Sequence, residues 1–411
     1  MQCKLWEMLK DELKNIVLSQ LDWLKPDADE IERSNLNSFP ELTPFTYILT
    51  GARRSGKSTL MKQIMRKAVL KNYISFEDPR TFDFTVDDFF KLEEVFKELN
   101  GEQGMYFFDE IQNVKGWERY VRLATDQKKA IVITGSNASL LSKELGTKLT
   151  GRHLDLEVFP FSYREFLLFQ NKDRSRETFQ EYLFNGGFPE YLKKNRSEVL
   201  STLVNDILDR DIFIRHSLKN TETYRQITRY LFSNIGKEVS YNNIKKTFQL
   251  GSATSALDFL GYLNDAYMFF LVPRFDYSLK VQAVNPRKVY GIDTGLINFN
   301  SASFSTDNGR LLENYVFLEL RRRKDEIFYF RKNKECDFIS RSAAGVLSAF
   351  QVCWHVNAEN EKREVEGILE AMNFIDITEG RIITFDQEDR IKSGDKNIQL
   401  VPVWKFADLE I

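Results

Sequence analysis

The sequence contains few cysteines, few histidines and no long apolar run, and each shortage excludes a class of protein. The three cysteines, Cys3, Cys336 and Cys353, form no C-x-x-C pair and no even disulfide framework, which fits a reducing compartment. The three histidines lack the spacing of a zinc-ligand pair, so no zinc site is predicted. Without an apolar run of about 18 residues, no membrane-spanning helix is predicted either.

The charge balance is close to neutral. The chain has 58 Lys and Arg against 60 Asp and Glu, a net charge of -2, so it has no general basic field for nucleic acid. Near the N-terminus, Lys10, Asp11, Glu12 and Lys14 interrupt the apolar pattern, so this segment lacks the core of a signal peptide. With 411 residues, 42% hydrophobic and 29% charged, we expect a soluble cytoplasmic protein of several domains.

A phosphate-binding loop follows the apolar run Phe45 to Thr50. The segment GARRSGKS, Gly51 to Ser58, matches the G-x-x-x-x-G-K-[ST] pattern (Walker A) at every fixed position. The glycines let backbone N–H groups point at the phosphates, Lys57 is expected to reach the β- and γ-phosphates, and the Ser58 hydroxyl to bind Mg²⁺. The predicted nucleotide-binding residues are Gly51, Ala52, Arg53, Arg54, Ser55, Gly56, Lys57, Ser58 and Thr59.

A second motif, MYFFDE, spans Met105 to Glu110 and is typical of Walker B. An apolar strand that ends in two acidic residues can supply two carboxylates with separate tasks. We expect Asp109 to hold Mg²⁺. Glu110 is the candidate catalytic residue that orients or deprotonates the attacking water, because hydrolysis needs a base within hydrogen-bond reach.

The run IVITGSN, Ile131 to Asn137, is a third apolar strand that ends in polar residues. At the tip of a strand beside Asp109, a polar side chain can contact the γ-phosphate or the attacking water. Asn137 is the first candidate for this catalytic role, followed by Thr134 and Ser136. The alternative is that these residues only form a turn.

The motifs in this order resemble the bacterial and archaeal AAA-type ATPases that carry a C-terminal domain of unknown function. The resemblance continues through FEDPR at 76–80, TGRHLDLEVFPFSYREFL at 150–167 and GGFPEYL at 186–192. It implies ATP as the nucleotide and an AAA-type core with a reduced lid. It also implies that Arg152 is a catalytic residue near the phosphates, an arginine finger that acts on its own subunit or on a neighbouring one. The alternative is that Arg152 only pairs with a core carboxylate.

The middle of the chain has a helical texture and then a winged-helix pattern. Helices are predicted at 241–249 and 253–263, with a hairpin strand in 266–275. The second helix carries no Lys, Arg, Asn or Gln between Ser252 and Tyr262, so a structural or protein-contact role is favoured over DNA binding. Lys245, Lys246, Arg225 and Arg229 on the earlier helices could contact only phosphates.

The last third follows the layout of restriction-endonuclease-like nucleases, with Glu313 on a helix and Asp337 on a strand. In that layout a carboxylate and a lysine lie two residues apart on the next strand and complete a Mg²⁺ site. Here Gln351 and Cys353 stand at those positions, so we expect a degenerate site. Lys362 on the following helix is the candidate for a displaced lysine.

Together these patterns predict an α/β protein. The expected parts are an N-terminal helix and connector at 1–40, an AAA-type P-loop parallel-sheet domain at 41–165, a helical linker or lid at 166–220, a winged-helix-like domain at 221–275 and a nuclease-like α/β domain at 276–411. The expected function is ATP hydrolysis with Mg²⁺, coupled to rearrangement of the C-terminal modules. The alternatives are a nucleotide-dependent switch that binds DNA or protein with little turnover, and an ATP-dependent nuclease. An oligomer is compatible with the sequence, and no membrane partner is expected.

Overall fold

The computed structural model describes residues 8–37, 39, 45–102, 104–136, 153–302 and 307–407. The chain forms two compact units, 1–159 and 160–411, and each is described here by itself. The finer division at residues 40, 165, 220 and 275 stays a prediction.

The first unit is built on a parallel five-stranded sheet, as the uninterrupted apolar runs predict. Its strands follow the spatial order β2-β3-β4-β1-β5. The strands are β1 (Thr46–Thr50), β2 (Lys71–Ser75), β3 (Met105–Asp109), β4 (Ile131–Gly135) and β5 (His153–Glu157). Because all five run the same way, the carboxyl ends of β1, β3 and β4 lie at one edge of the sheet.

Helices cover both faces of this sheet. They are α1 (Lys10–Gln20), α2 (Lys57–Lys67), α3 (Asp88–Asn100) and α4 (Trp117–Asp126). The sequence predicts one apolar stripe on the N-terminal helix, made of Leu9, Leu13, Val17, Leu21 and Leu24. Helix α1 packs on the sheet through Leu13 and Val17 of this stripe, but Leu9 and Leu21 are exposed. The amide of Gln20 is buried instead and pairs with the backbone of Ser75.

The second unit contains a mixed six-stranded sheet, ordered β13-β14-β12-β11-β10-β9. The strands are β9 (Glu326–Arg331), β10 (Glu335–Arg341), β11 (Leu347–Cys353), β12 (Glu379–Thr384), β13 (Asp389–Ser393) and β14 (Lys396–Pro402). A helix precedes this sheet at 308–322 and another crosses between β11 and β12 at 361–374, both as the sequence predicts. The sequence analysis missed β13, because this edge strand is polar and largely exposed.

A smaller antiparallel sheet, ordered β6-β8-β7, lies in the same unit. Its strands are β6 (Glu238–Val239), β7 (Phe269–Val272) and β8 (Arg287–Gly291). The predicted hairpin strand at 266–275 is shorter than expected. It does not form a tight hairpin, because a helical segment separates β7 from β8.

The helices of the second unit complete its layers. In chain order they are α5 (Tyr163–Gln170), α6 (Arg176–Asn185), α7 (Pro189–Lys194), α8 (Glu198–Asp206), a π-helix (Ile207–Ile214), α9 (Thr221–Phe232), α10 (Tyr241–Thr247), α11 (Ala253–Asp265), α12 (Leu279–Val284), α13 (Thr294–Asn300), α14 (Asn308–Arg322), α15 (Glu361–Phe374) and α16 (Val403–Phe406). Within the described ranges, every helix is too short or too polar to cross a lipid bilayer.

Candidate nucleotide-binding site

The phosphate loop joins β1 to α2 at the carboxyl edge of the parallel sheet. Its backbone is left-handed at Gly56, where φ is 96°, and at Arg54, where φ is 63°. A side chain at Gly56 would also place its Cβ 2.3 Å from Nη1 of Arg33. The second glycine of the motif is therefore required both by the turn and by a close neighbour.

Lys57 begins α2 and is 4% exposed. Its ammonium donates hydrogen bonds to the carbonyl oxygens of Gly51 (3.2 Å) and Ala52 (2.9 Å). The lysine thus folds back over the loop whose phosphates it is predicted to contact. The positive end of α2 adds to this cationic environment.

Asp109 ends β3 and is the acidic centre of the site. Its Oδ1 accepts hydrogen bonds from the hydroxyls of Ser58 (3.0 Å) and Thr134 (2.5 Å). Burial, together with the charge of Glu110, raises the pKa of Asp109 to about 6. Both predicted magnesium ligands, Ser58 and Asp109, therefore lie side by side and offer the hard oxygen donors that Mg²⁺ prefers.

Glu110 follows Asp109 in a left-handed conformation, with φ of 53°. Its backbone N–H donates to the Thr134 hydroxyl at 2.8 Å, and its carboxylate accepts a hydrogen bond from Gln112. A non-glycine residue with positive φ is uncommon and is concentrated at functional sites. Thr134, the second choice for the polar tip of β4, thus fixes both acidic residues.

The remaining sequence candidates differ in how far the structure describes them. Asn137 and Arg152 lie outside the described residues, so their roles stay predictions. Arg53 lies 3.8 Å from Glu77, and Arg54 is exposed, so their predicted contacts with the nucleotide stay predictions. Thr59 lies half-buried in the first turn of α2.

Arg33 lies in the polar connector of the N-terminal segment and is a further residue of this site that no sequence pattern indicates. This side chain is 2% exposed and donates to the carbonyls of Ser55 and Phe159, each at 2.7 Å. Its backbone N–H donates to Gln63 on α2. No local motif marks Arg33, because its contacts come from residues 22 and 126 positions away.

Comparisons with known proteins agree with this geometry. Residues 44–167 match a family model described as an AAA domain, and residues 176–307 match one described as a domain of unknown function. An uncharacterized protein of Methanocaldococcus jannaschii is 34% identical, covering 88% of this chain and 87% of the relative. The chain belongs to the family of that protein.

A second relative and one solved structure also match this chain. An uncharacterized protein of Haemophilus influenzae is 31% identical, covering 74% of this chain and 82% of that protein. A solved signal-transduction ATPase with a tetratricopeptide repeat sensor, from Pyrococcus horikoshii, gives a TM-score of 0.29 at 13% identity. The match covers 72% of this chain and only 46% of that protein, and a likeness this low assigns no fold. Residues 44–167 of this chain thus form an AAA-type ATPase domain.

Proposed function

We propose that this protein hydrolyses ATP. The observation that carries the proposal is the convergence of Lys57, Ser58, Asp109 and Glu110 at one edge of the parallel sheet, with Ser58 bonded to Asp109. A loop of backbone N–H groups, a buried lysine and two acidic side chains are the parts that phosphoryl transfer to water requires. The AAA domain match supports the same reading.

Each residue has a distinct task in this mechanism. Residues 51–59 bind the triphosphate through backbone N–H groups, and Lys57 leaves the carbonyls of Gly51 and Ala52 to donate to phosphate oxygens. Ser58 and Asp109 would hold Mg²⁺. That ion, when bound, supplies charge that neutralises the phosphate oxygens. Glu110 accepts the proton of the attacking water, while Thr134 keeps Glu110 and Asp109 in place. Asn137 and Arg152 are proposed to contact the γ-phosphate.

Two substitutions test the proposal. Lys57→Ala should weaken ATP affinity at least about tenfold, because it removes the cation that contacts the phosphates. Glu110→Gln should retain ATP but lower turnover by about 100-fold or more, because an amide cannot accept the proton. The measurements are binding of a fluorescent ATP analogue and steady-state phosphate release.

Matched controls separate these effects from general damage. Lys67→Ala lies in the last turn of the same helix, and Glu102→Gln lies on an exposed loop; both should behave as the parent protein. If Glu110→Gln hydrolyses ATP at the parent rate, Glu110 is not the base. If the parent protein binds ATP and releases almost no phosphate, the protein is the nucleotide-dependent switch instead.

We further propose that the nucleotide state rearranges the second unit. Hydrogen exchange of residues 160–407 in Glu110→Gln, with and without ATP, tests this coupling. Unchanged exchange throughout that range would refute it.

The part at 221–291 is proposed to be a winged-helix-like module that contacts protein. The support is its order of one helix, a short strand, two helices and two antiparallel strands, with the short helix α12 between the last two strands. Helix α11 carries no cationic side chain along its length. Phosphate release with and without duplex DNA distinguishes the readings. DNA stimulation of the ATPase would favour DNA as the partner.

A further inference from the structure

A buried lysine contacts the acidic side chains that line a cleft of the second unit. Lys288 on β8 is 2% exposed. Its Nζ lies 3.1 Å from Glu313, 2.7 Å from Glu335 and 3.0 Å from Asp337. Glu313 and Asp337 line a cleft of about 650 Å³ and are the two acidic residues that the sequence layout assigns to a metal site.

The rest of the predicted metal site does not fit a divalent ion. Gln351 replaces a carboxylate, and its two amide atoms are already used: Oε1 accepts the N–H of Asp337, and Nε2 donates to Glu364. Lys362, the sequence candidate for the displaced lysine, has a side chain that is 87% exposed and lies 3.8 Å from Glu366. A neutral amide with both atoms engaged is a poor magnesium ligand.

The charge of Lys288 is secured by its surroundings. Burial alone would lower the pKa of Lys288, but the neighbouring carboxylates outweigh it and raise this pKa well above its usual value. The hydroxyl of Tyr290 donates to Glu313 at 2.6 Å, and the N–H of Val352 donates to Asp337 at 2.9 Å. The carboxylates therefore have their partners without a metal ion, and an incoming divalent cation would face a fixed positive charge at hydrogen-bond distance.

We propose that the ammonium of Lys288 is the resident cation of this cleft, in the position that a divalent metal would otherwise take between Glu313 and Asp337. The cleft then carries out no metal-dependent cleavage of phosphodiesters. This inference concerns the second unit and does not depend on ATP hydrolysis in the first.

Removal of the ammonium should create the metal site that it replaces. Lys288→Met keeps the length of the side chain and leaves three carboxylates without their cation. Nucleotide-free Lys288→Met should therefore take up about one Mn²⁺ per chain more than the parent protein, measured by electron paramagnetic resonance of free Mn²⁺. Since both proteins have the same phosphate loop, the difference reports the cleft alone.

Two variants serve as controls. Lys334→Met removes a cation from the rim of the cleft, where it pairs with Glu366, and should add no Mn²⁺ site. Lys288→Met combined with Asp337→Asn should lose the additional ion. A folded Lys288→Met protein, checked by circular dichroism, that takes up no more Mn²⁺ than the parent would overturn the proposal.

A second measurement does not need Lys288→Met to fold. The parent protein and Asp337→Asn should take up the same amount of Mn²⁺, and neither should nick supercoiled plasmid in Mg²⁺. Mn²⁺ uptake or nicking by the parent protein that Asp337→Asn abolishes would show that the cleft accepts a metal and would refute the inference.

Discussion

The hydroxyl of Ser58 donates a hydrogen bond of 3.0 Å to Oδ1 of Asp109, across 51 positions of sequence. This contact joins the first turn of α2 to the end of β3. The same carboxylate oxygen accepts a hydrogen bond from Thr134 on the neighbouring strand β4, so one helix and two strands contribute side chains to one centre.

The first prediction concerns magnesium and Ser58. Ser58→Ala removes one of the two proposed ligands, so the Mg²⁺ concentration for half-maximal ATPase activity should rise by about tenfold or more. Titration of phosphate release against Mg²⁺ measures this. Ser201→Ala, at an exposed position on α8, is the matched control and should leave the titration unchanged. An unaltered titration for Ser58→Ala would remove Ser58 from the ligand set.

The second prediction follows from the pKa of Asp109, which is raised to about 6. Below this pH the carboxyl holds a proton and is a poor ligand, so the Mg²⁺ requirement should increase by about tenfold for each pH unit below 6. Above pH 7 it should be constant. Asp109→Asn has no carboxyl to titrate, so its residual Mg²⁺ dependence should lack this step. A parent protein with a flat profile between pH 5 and 7 would contradict the prediction.

The sequence predicts a helix or strand well where a local pattern of apolar residues and glycines is enough to determine it. The strand, loop and helix around Lys57 follow from apolar runs and glycine spacing, and the same holds for the strand that ends in Asp109. The sequence also predicts a polar residue at the tip of a strand next to Asp109. The pairing of β3 with β4 places Thr134 there.

The contacts that the sequence could not reveal are long-range and involve single residues. Arg33 lies in a polar segment without periodicity, and Lys288 lies in a strand whose composition says nothing about its neighbours. Each becomes a central residue only when the fold brings distant carbonyls or carboxylates within about 3 Å of it. Gln351 in the place of a carboxylate is visible in the sequence, but the ammonium of Lys288 beside Glu313 and Asp337 is not.

The third prediction concerns Arg33 as a positioning residue. Arg33→Ala leaves the carbonyls of Ser55 and Phe159 without their buried donor, so the phosphate loop should lose its conformation. We expect KM for ATP to rise by about tenfold or more while kcat falls much less, because no group that touches the reacting atoms is removed. Arg33→Lys should recover part of the affinity, since one ammonium can satisfy one carbonyl.

The control for Arg33 is Arg66→Ala. Arg66 is partly exposed and pairs with Glu30 at 2.6 Å in the same region, so its ionic partner is not a residue of the phosphate loop. Its removal should change KM less than about twofold. Equal changes of KM in Arg66→Ala and Arg33→Ala would indicate general loosening of the N-terminal segment.

The fourth prediction concerns Asp293 in the second unit. The carboxylate of Asp293 caps α13 by accepting the N–H of Leu296 at 2.8 Å, and it accepts the N–H of Gly187 at 2.6 Å. The position of Asp293 explains the first glycine of the GGFPEYL segment: Gly186 has a φ of 72°, and a Cβ there would lie 2.1 Å from the Asp293 carboxylate. Burial nevertheless raises the pKa of Asp293 to about 6.

The raised pKa of Asp293 determines how the free energy of unfolding depends on pH. The native state holds the proton of Asp293 more tightly than the unfolded chain, whose carboxyl titrates near its usual value of about 4. The stabilisation is therefore complete below about pH 4 and is lost as the pH rises through 6, by about 3 kcal/mol in free energy of unfolding. Asp293→Asn has no carboxyl to titrate at this position. Between pH 4 and 7 the parent protein should therefore lose up to about 3 kcal/mol of free energy of unfolding relative to Asp293→Asn. Urea unfolding of both proteins at several pH values measures this change, and the exposed Asp173→Asn is a control that should show no such change. A difference between parent and Asp293→Asn that does not change with pH would show that the buried carboxyl keeps its ordinary pKa.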